Sequence, residues 1–172
     1  MMDSQGKGKI AYMGLLLAFA LILSYVESLI PFFFGIPGIK LGLANLAVLL
    51  TLVLFGAKEA FIMNLGRILI SSFLFGNIAM LFYSMAGAVI SFLILLFMKK
   101  TKKFSITGIS MGGGVFHNIG QFFVAFFVVQ TESVFYYLPI LLTAGVGTGF
   151  LNGIIATAVK PYLVDKREER HG

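Results

Sequence analysis

From Ile10 to Val159 the chain is a succession of apolar runs, most near the length that crosses a bilayer, and the polar breaks between them last only a few residues. In hydrocarbon every backbone amide and carbonyl must find its partner inside the protein, so such runs are read as membrane helices. About 20 residues at ~1.5 Å each make one crossing. With 59% hydrophobic residues in 172 and a mean hydropathy of +0.98, the chain carries more apolar surface than a soluble domain of its size can bury. The expectation is therefore an all-α integral membrane bundle forming one polytopic domain.

Six spans are predicted, roughly 10–29, 41–57, 60–75, 77–98, 106–130 and 133–159, with a basic loop at 99–103 and a charged tail at 160–172. Lys7 and Lys9 before the first run, with Ala18-Phe19-Ala20 inside it, also fit a signal peptide. The run continues through Leu21, Ile22 and Leu23, which favours a retained span. Pro31 to Lys40 is too rich in Pro and Gly for a helix interior and too apolar for a wet loop, and it is read as a lid-like connection at the interface. Six crossings put both termini on one side. If that side is cytoplasmic, all but Lys40 and Arg67 of the 13 Lys and Arg lie there or in the tail, a strong positive-inside bias. The net charge of +6 thus follows topology and does not point to nucleic acid. Cysteine is absent, which excludes disulfides and thiolate metal sites.

Polar side chains inside the spans are the candidates for function, because a charge at mid-bilayer costs roughly 2.5–3.5 kcal/mol on insertion scales. Arg67 lies near mid-depth of the third span, with Asn64 three residues earlier on the same face. His117 and Gln121 are four apart on the fifth, beside Asn118. Glu27, Asn45 and Tyr83 fall at compatible depths, and Lys40 closes the lid-like segment just before Asn45. Together these groups predict an interior site opening outward. Each has a plainer reading: Asn45, Asn64 and Asn152 as hydrogen bonds between helices, His117 as a satisfied bundle histidine, Glu27 with Arg67 as a structural ion pair, and Lys40 as a side chain reaching for headgroups. Convergence in depth, more than any single residue, favours a site.

Small residues form a second pattern. Gly145, Gly149, Gly153 and Thr157 repeat every four residues, a ridge best explained by close helix packing. Gly14 and Ala18 make a shorter version near the N-terminus. The run Gly112-Gly113-Gly114 is expected to loosen or break the fifth helix and expose backbone near His117.

The stretch PGIKLGLANLAVLLTLVLFGAKEA, residues 37–60, with Asn64 and Arg67, resembles the Gx transporter family, which also carries the name heptaprenyl diphosphate synthase component I. That family is similar to the substrate-binding S components of energy-coupling factor (ECF) transporters. The resemblance implies a six-helix bundle with cytoplasmic termini, a small-molecule ligand held beneath the connection between helices 1 and 2, and a membrane coupling subunit, with its ATPases, docking on Gly14 and Ala18. S components usually carry alanines there, so Gly14 is a departure from their pattern.

Chain-elongating prenyl synthases bind Mg²⁺ and diphosphate on clustered aspartates. Here only Asp3 and Asp165 exist, both outside the spans, so the chain is not expected to be an enzyme. No Walker A sequence is present, one histidine beside two amides is too few ligands for a metal, and no cofactor is implied. Two functions lead, and a third, a self-sufficient channel or carrier, is weaker because the sequence shows no inverted repeat of the kind many secondary transporters carry. One is capture of an extracellular ligand with an anionic group by Glu27, Lys40, Asn45, Asn64, Arg67, Tyr83, His117, Asn118 and Gln121. The other is a non-catalytic accessory subunit for a prenyl synthase, for isoprenoid-quinone chemistry or for a redox partner, and this one predicts an apolar lateral groove open to lipid in place of a closed polar pocket.

Overall fold

The computed structural model describes residues 4–29 and 42–168, with side chains at 8–29 and 42–163. The predicted lid-like segment and Lys40 lie outside the described residues. Six α-helices follow one another: α1 (Ser4–Leu29), α2 (Asn45–Leu54), α3 (Ala57–Phe75), α4 (Ile78–Thr101), α5 (Ile106–Val129) and α6 (Leu138–Glu168), the last entered through a 3₁₀ turn at Glu132–Tyr137. No strand occurs among the described residues. Four stretches are long and apolar enough to cross a membrane, namely Gly8–Leu29, Ile78–Thr101, Ile106–Val129 and Glu132–Leu163.

The second helix is shorter than the run that encodes it. Gly42 (φ +89°) and Gly56 (φ +101°) bracket α2 in the left-handed region, where a side chain is disfavoured, and confine it to 10 residues. At ~15 Å it spans half a hydrocarbon core. It is also the most enclosed element, with Leu46 through Leu52 all buried beneath α1, α3 and α6. Its last turn is held from the side by Lys99 of α4, whose Nζ donates to the Leu52 carbonyl at 2.7 Å. Nearby, Lys9 of α1 is paired with Glu59 in the first turn of α3, which holds that carboxyl below its usual range.

The other boundaries follow from local chemistry. Asn77 Oδ1 accepts from the Met80 amide at 2.9 Å to start α4, and Ser105 Oγ accepts from the Gly108 amide at 3.1 Å to start α5. Lys102 and Gln130 end these helices in the left-handed conformation.

The glycine run does not break α5, which corrects the expectation from sequence. Its glycines are taken up by close contact with the neighbouring helices instead. A Cβ on Gly114 would stand 2.3 Å from the Gly145 carbonyl oxygen, and one on Gly113 would stand 2.9 Å from Leu95 of α4. Gly149 and Gly153 of α6 likewise meet the α5 backbone at Met111 and Thr107. The ridge on α6 is therefore an internal joint, and α4, α5 and α6 form the tightest part of the molecule. On α1 the outcome is opposite: Gly14 and Ala18 are exposed, and a Cβ on Gly14 would touch nothing.

Candidate functional site

The head of α2 is where the polar side chains meet. Its first described residue, Gly42, presents a peptide that two other helices hold. The Gly42 amide donates to Glu27 Oε1 from the last turns of α1, and its carbonyl accepts from Asn152 Nδ2 of α6 at 3.1 Å. The same carbonyl accepts from the Asn45 amide at 3.1 Å and so begins α2. Glu27 is 3% exposed, and its carboxylate is the charge that acts on Arg67 of α3, also 3% exposed. Arg67 in turn donates from Nε (3.2 Å) and Nη2 (2.7 Å) to Asn64 Oδ1 one turn back on α3. This is the face expected from their spacing of three.

His117 approaches the same point from α5. Its ring lies against Gly87 of α4, where a Cβ would sit 2.8 Å from both Nδ1 and Cε1, and its Cδ2 edge faces Gly42. Only glycine at position 87 leaves room for the imidazole at that depth. Asn45 is half-buried and lines a cavity of about 10 Å³ together with Gly42, Ser91, Ser110, Thr148 and Asn152. The space that these described residues enclose admits one water with several polar partners.

Not every candidate joins this cluster. Asn118 is turned towards α6, where its Nδ2 donates to the Leu141 carbonyl at 2.6 Å. Gln121, fully buried, lies one turn beyond His117 on α5. Tyr83 packs with Phe122, Ala125, Val134 and Leu141 in a second apolar core, apart from the main one around α2. Glu27, Asn45, Asn64, Arg67 and His117 are thus gathered about one end of α2, whereas Asn118 and Tyr83 serve other contacts.

Several members of the cluster carried little signal in the sequence. Gly42 is one glycine among 20, and only its φ and its two clasping partners single it out. Asn152 falls in the reading of a hydrogen bond between helices, but the group it holds is the Gly42 peptide itself. Ser24 and Ser72 are buried, and neither hydroxyl has a partner among the described residues. Ser24 precedes Glu27 by three and Ser72 follows Arg67 by five, spacings that signal a shared face only for Ser24. An unpaired hydroxyl in such surroundings costs about 1–3 kcal/mol, so these two mark where a further polar group would be stabilised.

Chemically, the cluster offers a guanidinium, a carboxylate and an imidazole around the Gly42 peptide, all buried within the bundle. It suits recognition of a polar group and contains no paired carboxylates or nucleophile–base couple. Among the described residues no group of three His, Cys, Asp or Glu could hold a metal. The model of one family, heptaprenyl diphosphate synthase component I, matches residues 16–159. No curated protein and no solved structure matches the chain.

Proposed function

The chain belongs to the heptaprenyl diphosphate synthase component I family, and on that premise we propose that it is a non-catalytic membrane component that captures a small molecule at the head of α2. The observation that carries this reading is the meeting of α1, α2, α3, α5 and α6 at Gly42 through Glu27, Arg67, His117 and Asn152. Burying an arginine and a glutamate at membrane depth is costly, and shape alone would be served more cheaply by apolar side chains. A ligand with an anionic or strongly hydrogen-bonding group gives the cost a purpose: Arg67 and Lys40 meet its charge, Asn45, Asn64 and His117 orient it, and Gln121 lies one turn beyond. Capture from outside and cytoplasmic termini go with six crossings, and passage through the membrane needs an ECF-type coupling subunit with ATPases. Gly14 and Ala18 on α1 support such docking, since their open face takes no part in internal packing.

The test is the small-molecule content of the purified protein. Mass spectrometry of wild type should find a retained compound, and Arg67→Gln should lower its occupancy about tenfold or more, as expected for losing hydrogen bonds from a charged donor. Equal occupancy in a variant that purifies equally well would remove Arg67 from the site.

A second reading takes the family description at its word: a membrane subunit beside a soluble prenyl synthase or redox partner, handling an isoprenoid. One specific feature favours it, an apolar groove on the flank of the bundle. Co-purification separates the readings, since a synthase partner supports the second and ATPase partners support the first.

A further inference from the structure

The small cavity beside the head of α2 is lined by more oxygen than one water can serve. Its polar side chains come from four helices: Asn45 of α2, Ser91 of α4, Ser110 of α5, and Thr148 and Asn152 of α6. Ser91, Ser110 and Asn152 are each more than nine-tenths buried. The side chains of Asn45, Ser91 and Ser110 make no hydrogen bond among the described residues. Asn152 spends its Nδ2 on the Gly42 carbonyl, which leaves Oδ1 as an acceptor. Thr148 Oγ1 gives its proton to the Ala144 carbonyl at 2.9 Å, so it offers the cavity only lone pairs. Polar groups left unmet inside a bilayer are costly.

A water has two protons to give. Even with Ser91 and Ser110 both donating to it, those two protons face three acceptors, Asn45 Oδ1, Thr148 Oγ1 and Asn152 Oδ1, and one stays unmet. A monovalent cation serves them all. The two serine hydroxyls then turn their protons to the helix carbonyl one turn back, as Thr148 does, and five side-chain oxygens present lone pairs. Neutral oxygens arranged in this way replace an ion's hydration shell. The space of about 10 Å³ holds a single small sphere, which favours sodium stripped of its water over the larger potassium ion. No carboxylate lines the cavity, so a divalent charge has nothing to balance it. Glu27, bound to the amide of the wall residue Gly42, brings one negative charge close by.

We propose that this cavity is a sodium site, ligated by Asn45, Ser91, Ser110, Thr148 and Asn152. Sodium there ties α2 to α4, α5 and α6 beside the residue that Glu27 and Asn152 clasp, and so steadies the entry of the chain into α2. The proposal goes beyond the capture reading and does not depend on it.

The experiment uses the full chain in detergent, purified without sodium, and melted at constant ionic strength while choline chloride is exchanged for NaCl or KCl. Sodium should raise the melting midpoint by several degrees in a saturable way, and potassium should need about tenfold more for the same rise. Binding of ²²Na⁺ to wild type in a scintillation proximity assay should saturate at about one ion per chain. Ser110→Ala removes one ligand with little change in volume, and it should raise the sodium concentration for half effect about tenfold. Ser91→Ala with Ser110→Ala should abolish both the rise and the ²²Na⁺ signal. Arg67→Gln should keep the wild-type sodium dependence, so failure of the anionic-ligand site and failure of the sodium site read out separately. Equal midpoints in sodium, potassium and choline would mean that the cavity holds water only and would overturn the assignment. A wild-type sodium response in the double serine variant, or absence of saturable ²²Na⁺ binding to wild type, would do the same.

Discussion

At the scale of single residues the molecule turns on Gly42. Its positive φ lets the chain enter α2 with the amide turned to Glu27 and the carbonyl turned to Asn152. An alanine there would carry the left-handed penalty of roughly 1–2 kcal/mol, and its Cβ would come within 2.8 Å of Asn45 Nδ2. Gly42→Ala should therefore lower the melting midpoint of the detergent-solubilised protein by several degrees. Gly42→Asn should fall between it and wild type, because asparagine tolerates that backbone better; equal losses for the two would mean that crowding, not φ, sets the cost. Arg67 and Asn64 could be found in the sequence because a charge in an apolar run is conspicuous and a spacing of three fixes its neighbour. Gly42 could not, since a glycine's role lies in a dihedral angle and in partners 15 and 110 residues away.

At the scale of helices the governing contact is backbone on backbone. The α5–α6 joint leaves no space at Gly114, where a Cβ would meet a carbonyl oxygen that cannot rotate away. Gly114→Ala should separate the two helices, destabilise the protein more than Gly42→Ala, and loosen the Asn118–Leu141 bond that crosses the same interface. Thermal melts of the two single variants and amide exchange at the middle of α6 would check the order. For Gly14→Ala, with open space around its Cβ, no loss of stability is expected. The four-residue repeat on α6 was legible as close packing, but α5 was misread because Gly-Gly-Gly has low helix propensity. Tertiary contact overrode it, and no local rule reveals that each glycine faces a neighbouring backbone or side chain. At the lysine-rich end, the Lys9–Glu59 pair joins α1 to α3. Because the folded carboxyl is held below its usual value, its stabilising effect is present above the unfolded value and disappears as pH falls through the folded one. Hydrogen exchange in the first turns of α1 should rise on acidification through the carboxylate range. In Glu59→Gln it should be raised already at neutral pH and no longer respond.

At the scale of the whole molecule, membrane class and helical architecture were carried by composition and run length, which depend on the solvent more than on any contact. The lengths of individual helices were not, because α2 owes its shortness to two glycine dihedrals and its burial to three other helices. This matters for topology. A helix of 10 residues does not cross a bilayer unaided. Charge supplies the independent constraint: Lys99 and Lys100 end α4 and Lys102 and Lys103 follow it, whereas the connection from α5 to α6 carries Glu132 and no cation. With α5 long enough to span between them, the positive-inside bias predicts these two connections on opposite faces, with the lysines inside. The chain has no cysteine, so single replacements report without a background. Lys102→Cys should react with a membrane-impermeant maleimide only after cells are opened, and Thr131→Cys should react in intact cells. Lys9→Cys should behave as Lys102→Cys does if α2 and its approach, together with α3, complete the two crossings between α1 and α4. Labelling of Lys9→Cys from outside, with the other two positions as expected, would leave the segment from α1 to α3 with an odd number of crossings. The α2 head would then lie at a depth where Glu27 and Arg67 could not face an external ligand.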